Sequence, residues 1–187
     1  MKAVLLSIRP EWCKKIVSGE KTVEVRKTRP KLETPFKVYI YCTMNREGWF
    51  RHPGSESWCG KIIGEFVCDK IDRLTHVDKT SRLNIVTPDL WYKPADDMLK
   101  SACMSGATAE KYLKGGDGYG WHISDLKIYD KPKSLLDFRR AVDKDELWCE
   151  KCAIGGKKGT ACAFCYGLDG LRIRRPPQSW CYVEVVD

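Results

Sequence analysis

Short apolar runs and alternating segments predict a chain built mainly of strands. Runs rich in Val, Ile, Phe and Tyr and bounded by turn residues are typical of strands. Such runs lie at 3–8, 37–43, 61–71, 119–129 and 180–186. Helical spacing occurs at 10–18 and again between 88 and 115, before a glycine-rich turn. Short strands mixed with two helical regions predict an α+β fold, a small mixed β-barrel with flanking helices.

The first predicted helix leads directly into a strand whose polar side chains share one face. The helix over 10–18 ends at Gly19, which readily adopts the left-handed conformation that closes helices. The strand that follows alternates, so Thr22, Glu24 and Arg26 lie on one face and the two valines between them on the other. Polar groups from one short segment therefore face together.

Lys21 stands at the turn before this strand and predicts a charged cluster with Glu24 and Arg26. Such a cluster could bind a phosphate through the two cations while Glu24 accepts a hydrogen bond from a base. A lysine in a desolvated cleft can also serve as a nucleophile or base. The alternative is an ordinary ion pair that holds the helix against the barrel.

Four further residues are weaker candidates for the same cleft. Ser7 and Arg9 end the first strand, Thr43 follows the second, and Trp121 lies beyond the glycine-rich turn. An aromatic ring beside a basic groove can stack an unpaired base, although a core position for Trp121 is the alternative. The neighbouring His122 suits either a proton shuttle or a structural histidine with a fixed partner.

Four cysteines near the C-terminal end predict a metal site. Cys149 and Cys152 form one Cys-x-x-Cys motif, and Cys162 and Cys165 form another nine residues later. This spacing is typical of a structural zinc ion, whose closed four-thiolate shell leaves no position for water or substrate. Two disulfides or four free thiols are the alternatives. Zinc would order a segment poor in apolar residues and rich in lysine and glycine.

Length and composition predict one domain with a small insertion. The chain has 187 residues and 43% hydrophobic residues, which suits a single folded core. We expect a barrel domain over 1–146 that the segment 171–187 completes, and a zinc-binding insertion over 147–170.

The formal net charge of +8 favours a polyanionic partner such as RNA, because lysines and arginines that neutralise phosphates release counterions. A solvated basic surface without such a role is the alternative. No apolar stretch reaches membrane-spanning length, and the start has too short an apolar run for a signal peptide. Ten cysteines without an export signal predict a reducing, cytoplasmic location.

A resemblance to a known family begins at residues 19–26. The run G-x-K-x-x-E-x-R after a short helix resembles the ASCH domain family, in particular its bacterial and phage members. Further similar segments are 6–12, 38–43, 63–66, 120–123 and 176–183. The resemblance covers nearly everything outside the insertion.

The resemblance implies a PUA-like β-barrel with a cleft between the barrel and its first helix, associated with RNA or modified nucleosides. Some members remove the acetyl group from acetylated cytidine, and others have been linked to RNA cleavage. The deacetylating members have a lysine where this chain has Lys21, but a threonine where it has Glu24. The functional alternatives are therefore a binding domain, a small amidohydrolase or ribonuclease that uses Lys21 and Glu24, and a protein-interaction domain.

Overall fold

The computed structural model describes residues 1–44, 58–77, 82–87, 89, 91–141 and 171–186. Its elements in chain order are β1 (Lys2–Ile8), α1 (Pro10–Val17), β2 (Val23–Arg26), β3 (Phe36–Cys42), β4 (Lys61–Cys68), β5 (Ile71–His76), β6 (Leu83–Val86), β7 (Tyr92–Pro94), α2 (Asp96–Ser101), α3 (Gly106–Leu113), β8 (Gly118–His122), β9 (Ser124–Lys133), a short 3-10 helix (Leu135–Asp137) and β10 (Trp180–Glu184). The chain divides into two units. Unit 1 comprises Met1–Arg9, Tyr39–Gly64 and Tyr129–Asp187, and unit 2 comprises Pro10–Val38 and Glu65–Ile128.

Unit 1 is built around β1, the apolar run at the start of the chain. In the sheet ordered β10-β1-β3-β4-β9, β1 pairs antiparallel with β10, so that Leu5 lies opposite Cys181. Residues 3–8 of β1 are all buried, as expected for a central strand covered on both faces. The core of this unit contains Ala3, Leu5, Tyr39, Tyr41, Ile62, Leu135, Phe138, Ile173 and Val183.

Unit 2 contains a second sheet with two short helices against it. Its strands run in the order β2-β8-β5-β6-β7. Valines of β2 and apolar residues of β5 and β6 form one core with residues of α2 and α3. A Cβ at Gly120 of β8 would lie 2.8 Å from Met98 Sδ of α2. The glycine therefore lets the helix approach the bare backbone of the strand.

The prediction of a single closed barrel was wrong. The strands of the described residues form two five-stranded sheets instead. Two expected long strands are each divided. The run 61–71 becomes β4 and β5, which lie in different sheets, with Asp69 and Lys70 between them. The run 119–129 becomes β8 and β9, and Asp125 near the break has a φ of 47°. In both runs the apolar residues continue across the point where the chain passes from one sheet to the other, so the sequence pattern did not reveal the break.

The region 88–115 was expected to be helical and contains two helices rather than one. β7 precedes them, and Cys103, with a φ of 53°, lies between α2 and α3. Gly19 after α1 has a φ of 78°, which confirms the predicted left-handed stop. None of the described helices is both long and apolar enough to cross a membrane. The insertion 147–170 lies outside the described residues, so the expected domain division stays a prediction.

Candidate functional site

Three charged side chains of unit 2 form a chain of ion pairs, which we call the Glu24 cluster (Lys21, Glu24 and Arg26). Lys21 Nζ lies 3.2 Å from Glu24 Oε2, and Arg26 Nη2 lies 3.1 Å from Glu24 Oε1. The side chains are only 3%, 8% and 13% exposed, respectively. Two cations thus share one carboxylate in a nearly enclosed place, and the three side chains together carry a net charge of +1.

The local sequence explains how the cluster forms. The chain leaves α1 through Gly19, and the Lys21 amide donates back to the Lys15 carbonyl, which fixes the turn. Glu24 and Arg26 then lie on one face of β2 because side chains alternate along a strand. The predicted convergence of these three residues is therefore seen in the structure, and Lys21 is buried at the turn before β2.

Lys21 makes two further contacts that the sequence did not predict. Its Nζ donates a 2.6 Å hydrogen bond to the Ala102 carbonyl at the end of α2 and lies 5.1 Å from the centre of the Trp12 ring. A cation at a helix C-terminus and over an aromatic face is favourable. No local pattern could reveal a carbonyl acceptor 81 residues away.

The segment around Lys21 is fastened to the end of α2 by three hydrogen bonds, which we call the α2 clasp. Besides the Lys21 bond, the Thr22 amide donates to the Ser101 carbonyl at 2.9 Å. The Cys103 thiol donates to the Glu20 carbonyl at 3.4 Å. Thr22 also accepts a backbone bond from Ile123. The backbone of Thr22 therefore links the turn after α1 both to α2 and to the chain after β8.

Trp121 is a core residue, which agrees with one of the two interpretations of the sequence. It lies opposite Glu24 in the antiparallel pair of β2 and β8. Its side chain is 0% exposed, and its ring packs edge to face on Phe36, with 5.9 Å between ring centroids. A ring that is fully enclosed has no face on which a base could stack, so we withdraw Trp121 as a stacking platform.

The three remaining candidates, Ser7, Arg9 and Thr43, belong to unit 1. Ser7 is 6% exposed, and its hydroxyl donates to the Pro177 carbonyl at 2.7 Å. Thr43 donates its amide to the Ile8 carbonyl, whereas the Arg9 side chain is exposed. Ser7 is thus engaged in holding the segment before β10. The convergence of these residues with the Glu24 cluster stays a prediction.

The comparisons with known proteins bear on the family and the fold. Residues 6–82, which include the whole Glu24 cluster, match the model of the ASCH domain family. Residues 6–82 thus correspond to an ASCH domain. Two solved structures of mutant proteins of ZmASCH, the ASCH protein of Zymomonas mobilis, are similar to this chain at 18% sequence identity. Their TM-scores are 0.51 and 0.50; the alignments cover 98% and 97% of this chain, and 91% and 88% of theirs.

At this identity the two ZmASCH structures establish a common fold and nothing more. No curated protein sequence matches the chain. The resemblance inferred from residues 19–26 is thus confirmed at the level of the ASCH family. Its bacterial or phage type stays a prediction.

Unit 2 has a second charged cluster that sequence reasoning missed, which we call the Asp72 cluster (Lys70, Asp72 and His122). His122 Nε2 lies 2.7 Å from Asp72 Oδ2, and Lys70 Nζ lies 2.9 Å from Asp72 Oδ1. Burial by itself would raise the pKa of Asp72, but hydrogen bonds from His122 and Lys70 outweigh it and lower the pKa to about 2. His122 is therefore a histidine with a fixed partner.

The two clusters lie on opposite faces of the sheet in unit 2. Glu24 is opposite Trp121, whereas Asp72 is opposite Gly120, the next residue of β8. Adjacent residues of a strand point to opposite faces. The charged groups thus form two separate sites in unit 2.

A pocket of about 470 Å³ lies at the turn between α2 and α3. Lys100, Cys103 and Ser105 contribute to its lining. Ser105 caps α3 by accepting a hydrogen bond from the Thr108 amide. None of the site residues predicted from the sequence lines this pocket, so its position gives no support to them.

The predicted zinc ligands Cys149, Cys152, Cys162 and Cys165 lie outside the described residues. Within the described ranges, no group of three or more His, Cys, Asp or Glu side chains is placed to hold a metal ion. Cys13, Cys42 and Cys68 are buried and form no disulfide, as expected for packing residues. Burial raises the pKa of Cys68 to about 12, so this thiol stays neutral. Cys181 is only half-buried.

Proposed function

We propose that this protein binds RNA, or a modified nucleoside within RNA, through the Glu24 cluster. The observation that carries the proposal is a nearly enclosed group of three charges with one net positive charge. A guanidinium that a carboxylate holds in place is a preorganised donor for the oxygens of a further anion. A phosphate is the anion that RNA supplies, and the net charge of the chain, +8, favours the same partner.

Within the cluster, we assign phosphate contact to Arg26 and base recognition to Glu24. Arg26 is the most exposed of the three side chains, and a guanidinium matches the geometry of a phosphate. Glu24 is held in place by a cation on each oxygen, and a carboxylate so fixed can accept a hydrogen bond from a base amino group. Lys21 holds the carboxylate through its contacts with Glu24 and Ala102.

The second candidate function is hydrolysis of an acylated nucleoside or of RNA by Lys21 and Glu24. The contact of 3.2 Å between the two side chains favours it, since a nucleophile and its base must lie within such a distance. However, Lys21 Nζ already donates to the Ala102 carbonyl at 2.6 Å and is 3% exposed. These contacts favour a supporting role, so binding is the function that the geometry supports better. A protein-interaction domain is a weaker third candidate.

We also propose that Cys149, Cys152, Cys162 and Cys165 hold one structural zinc ion in a reducing cytoplasm. The paired Cys-x-x-Cys spacing supports this assignment, and a closed shell of four thiolates would brace the insertion without taking part in chemistry. Metal analysis of the purified protein should find about one zinc ion per chain. The Cys149→Ser/Cys162→Ser variant should lose it, whereas Cys103→Ser should retain it. Intact thiols without metal would contradict the assignment.

The binding proposal is tested with fluorescein-labelled single-stranded RNA of mixed sequence. Affinity is measured for the parent protein, Arg26→Lys, Arg26→Gln and the control Lys93→Gln, which removes one exposed positive charge from the same unit. We expect roughly tenfold weaker binding for Arg26→Gln and an intermediate loss for Arg26→Lys. The lysine ammonium keeps the positive charge but cannot make the two parallel hydrogen bonds of a guanidinium. Equal affinities for Arg26→Gln and Lys93→Gln would overturn the assignment.

The same proteins are incubated with acetylated cytidine and other acylated nucleosides, and the products are followed by mass spectrometry. A deacylated product that disappears in Lys21→Met would establish the hydrolase instead. Retention of RNA without any product supports the binding domain. If binding does not weaken as the salt concentration rises, RNA is excluded both as a ligand and as a substrate, and a protein partner is favoured.

A further inference from the structure

Positive charge is concentrated in unit 1. Its described residues include ten lysines and arginines but only three acidic residues, whereas those of unit 2 include sixteen and thirteen. The segment 142–170 contains four basic and five acidic residues, so it adds no net positive charge. The described residues of unit 1 thus carry a net charge of +7, against +3 for those of unit 2, and account for most of the +8 of the whole chain.

Five arginines of unit 1 lie in two segments, 138–141 and 171–175, that pair with each other. We call them the arginine surface, and they are Arg139, Arg140, Arg172, Arg174 and Arg175. The Arg140 amide donates to the Leu171 carbonyl at 2.8 Å, and the Ile173 amide donates to the Phe138 carbonyl at 3.0 Å. Arg139 and Arg172 are direct partners in this antiparallel bridge.

Because side chains alternate along the two segments, Arg139, Arg172 and Arg174 point away from the core of unit 1. Phe138 and Ile173 are 0% and 2% exposed and belong to the core of unit 1. Arg172 and Arg174 flank Ile173 and are exposed, and Arg139 next to Phe138 is partly exposed. A buried apolar residue thus anchors each segment and fixes the positions of the arginines beside it.

The pairing of Arg139 with Arg172 points to an anionic ligand. Two guanidinium groups at opposite positions of a bridge can both approach one anion, and their combined attraction to it exceeds what either gives alone. Guanidinium groups bind phosphate oxygens through two parallel hydrogen bonds. β10 adjoins the other side of the 138–141 segment, where the Glu184 amide donates to the Arg139 carbonyl. Glu184 is exposed and is the one acidic residue that these pairings bring beside the arginines among the described residues.

Aromatic residues on β10 favour RNA over other polyanions. Trp180 and Tyr182 are partly exposed, with 5.4 Å between their ring centroids. Cations beside aromatic rings are the combination that single-stranded nucleic acids use, since bases stack and phosphates pair. We propose that the arginine surface binds the phosphodiester backbone of single-stranded RNA. It rests on the proposed function and adds a second contact, in unit 1, to the Glu24 cluster of unit 2.

The test compares two double variants that each remove two positive charges from unit 1. Arg139→Gln/Arg172→Gln removes the paired arginines, and the control Lys61→Gln/Lys131→Gln removes two exposed lysines. Affinity for labelled single-stranded RNA is measured over a series of salt concentrations. We expect at least about tenfold weaker binding for the arginine variant and less than about threefold for the control. The slope of log K against log salt should fall by roughly 1.4 in the arginine variant, as for two lost phosphate contacts.

Further variants keep the outcome decisive. Arg139→Lys/Arg172→Lys retains both charges, so it should fold as the parent does and show an intermediate affinity; thermal melts of all variants verify the fold. Equal losses in the arginine and lysine variants would show a bulk charge effect and overturn the proposal. Loss of binding to vesicles of phosphatidylcholine and phosphatidylserine, with RNA binding unchanged, would assign the surface to lipid instead.

The pattern across both sites separates the two proposals. A protein whose RNA binding weakens in Arg26→Gln but not in the arginine variant retains the proposed function and loses this inference. The reverse pattern retains the arginine surface and removes the Glu24 cluster from RNA contact. A parent protein that binds no RNA at any salt concentration overturns both.

Discussion

The Glu24 cluster and the Asp72 cluster have similar geometry but different surroundings. Each places one carboxylate between two basic side chains, at distances between 2.7 and 3.2 Å. The cations beside Glu24 are 3% and 13% exposed, whereas Lys70 and His122 beside Asp72 are 56% and 30% exposed. In the first cluster water cannot replace a lost partner; in the second it can.

This difference shows that the number of ion pairs says little about their energetic weight. An exposed pair contributes little because solvent screens it, whereas a buried charge without its partner is strongly destabilising. We therefore expect unequal responses when equivalent residues of the two clusters are changed. The Glu24 cluster should respond mainly in stability and binding, and the Asp72 cluster mainly to pH.

The largest effect should follow Glu24→Gln. The substitution leaves Lys21 and Arg26 buried without their shared carboxylate, and we expect a loss of about 3–5 kcal/mol in the free energy of unfolding. Urea denaturation measures it. Glu20→Gln is the control, because Glu20 pairs with Lys15 at the surface and should change stability by no more than about 0.5 kcal/mol. Similar losses in both variants would abolish the distinction between buried and exposed pairs.

A second experiment tests whether Lys21 and Glu24 act as a pair. Lys21→Met, Glu24→Gln and the double variant form a thermodynamic cycle, measured by the same denaturation. Since Lys21→Met removes the buried cation that Glu24→Gln would leave uncompensated, the double variant should be more stable than the sum of the single losses predicts. We expect a coupling of about 1–3 kcal/mol. Additive losses would show that the contact of 3.2 Å carries no energy of its own.

Asp72 should make the free energy of unfolding depend on pH in the acid range. Its pKa is lowered from 3.8 in the unfolded chain to about 2, so the folded state holds the charged form more strongly. The resulting stabilisation is complete above about pH 4 and is lost as the pH falls towards 2; it amounts to roughly 2 kcal/mol. Unfolding measured between pH 2 and 5 should therefore show a shallower pH dependence in Asp72→Asn than in the parent.

Asp117 offers the comparison for this profile. Its pKa is also lowered, first by a hydrogen bond from Thr75 and then by Arg73, but its side chain is 38% exposed. Asp117→Asn should alter the acid profile less than Asp72→Asn does. The opposite order would refute the role given to the Asp72 cluster.

The smallest effect should follow Lys70→Gln. Lys70 is more than half exposed, so water replaces it at the Asp72 carboxylate while His122 keeps its hydrogen bond. We expect a change of no more than about 1 kcal/mol in the free energy of unfolding. A loss of stability as large as that of Glu24→Gln would show that the exposed pair of the Asp72 cluster has the same energetic weight as the buried pairs of the Glu24 cluster.

The sequence revealed the Glu24 cluster because its three members lie within six residues, where strand alternation and a helix stop fix their directions. It also predicted β1, α1, Gly19 and the family. The Asp72 cluster was missed because His122 joins it from 50 residues away, on a neighbouring strand. The Ala102 carbonyl that holds Lys21 belongs to the backbone, which has no signature in composition. Division of 61–71 into strands of two sheets depended on tertiary pairing as well.

The α2 clasp gives the site an order of assembly. Its bonds join residues 20–22 to residues 101–103, so about eighty residues of intervening chain must be closed into a loop before they form. The Thr22 amide, bonded to Ser101, is thus a reporter whose hydrogen exchange measures release of α2 from Lys21. Exchange at this amide that is faster than at the amides of β1 would mark the site as the part of the molecule that opens first.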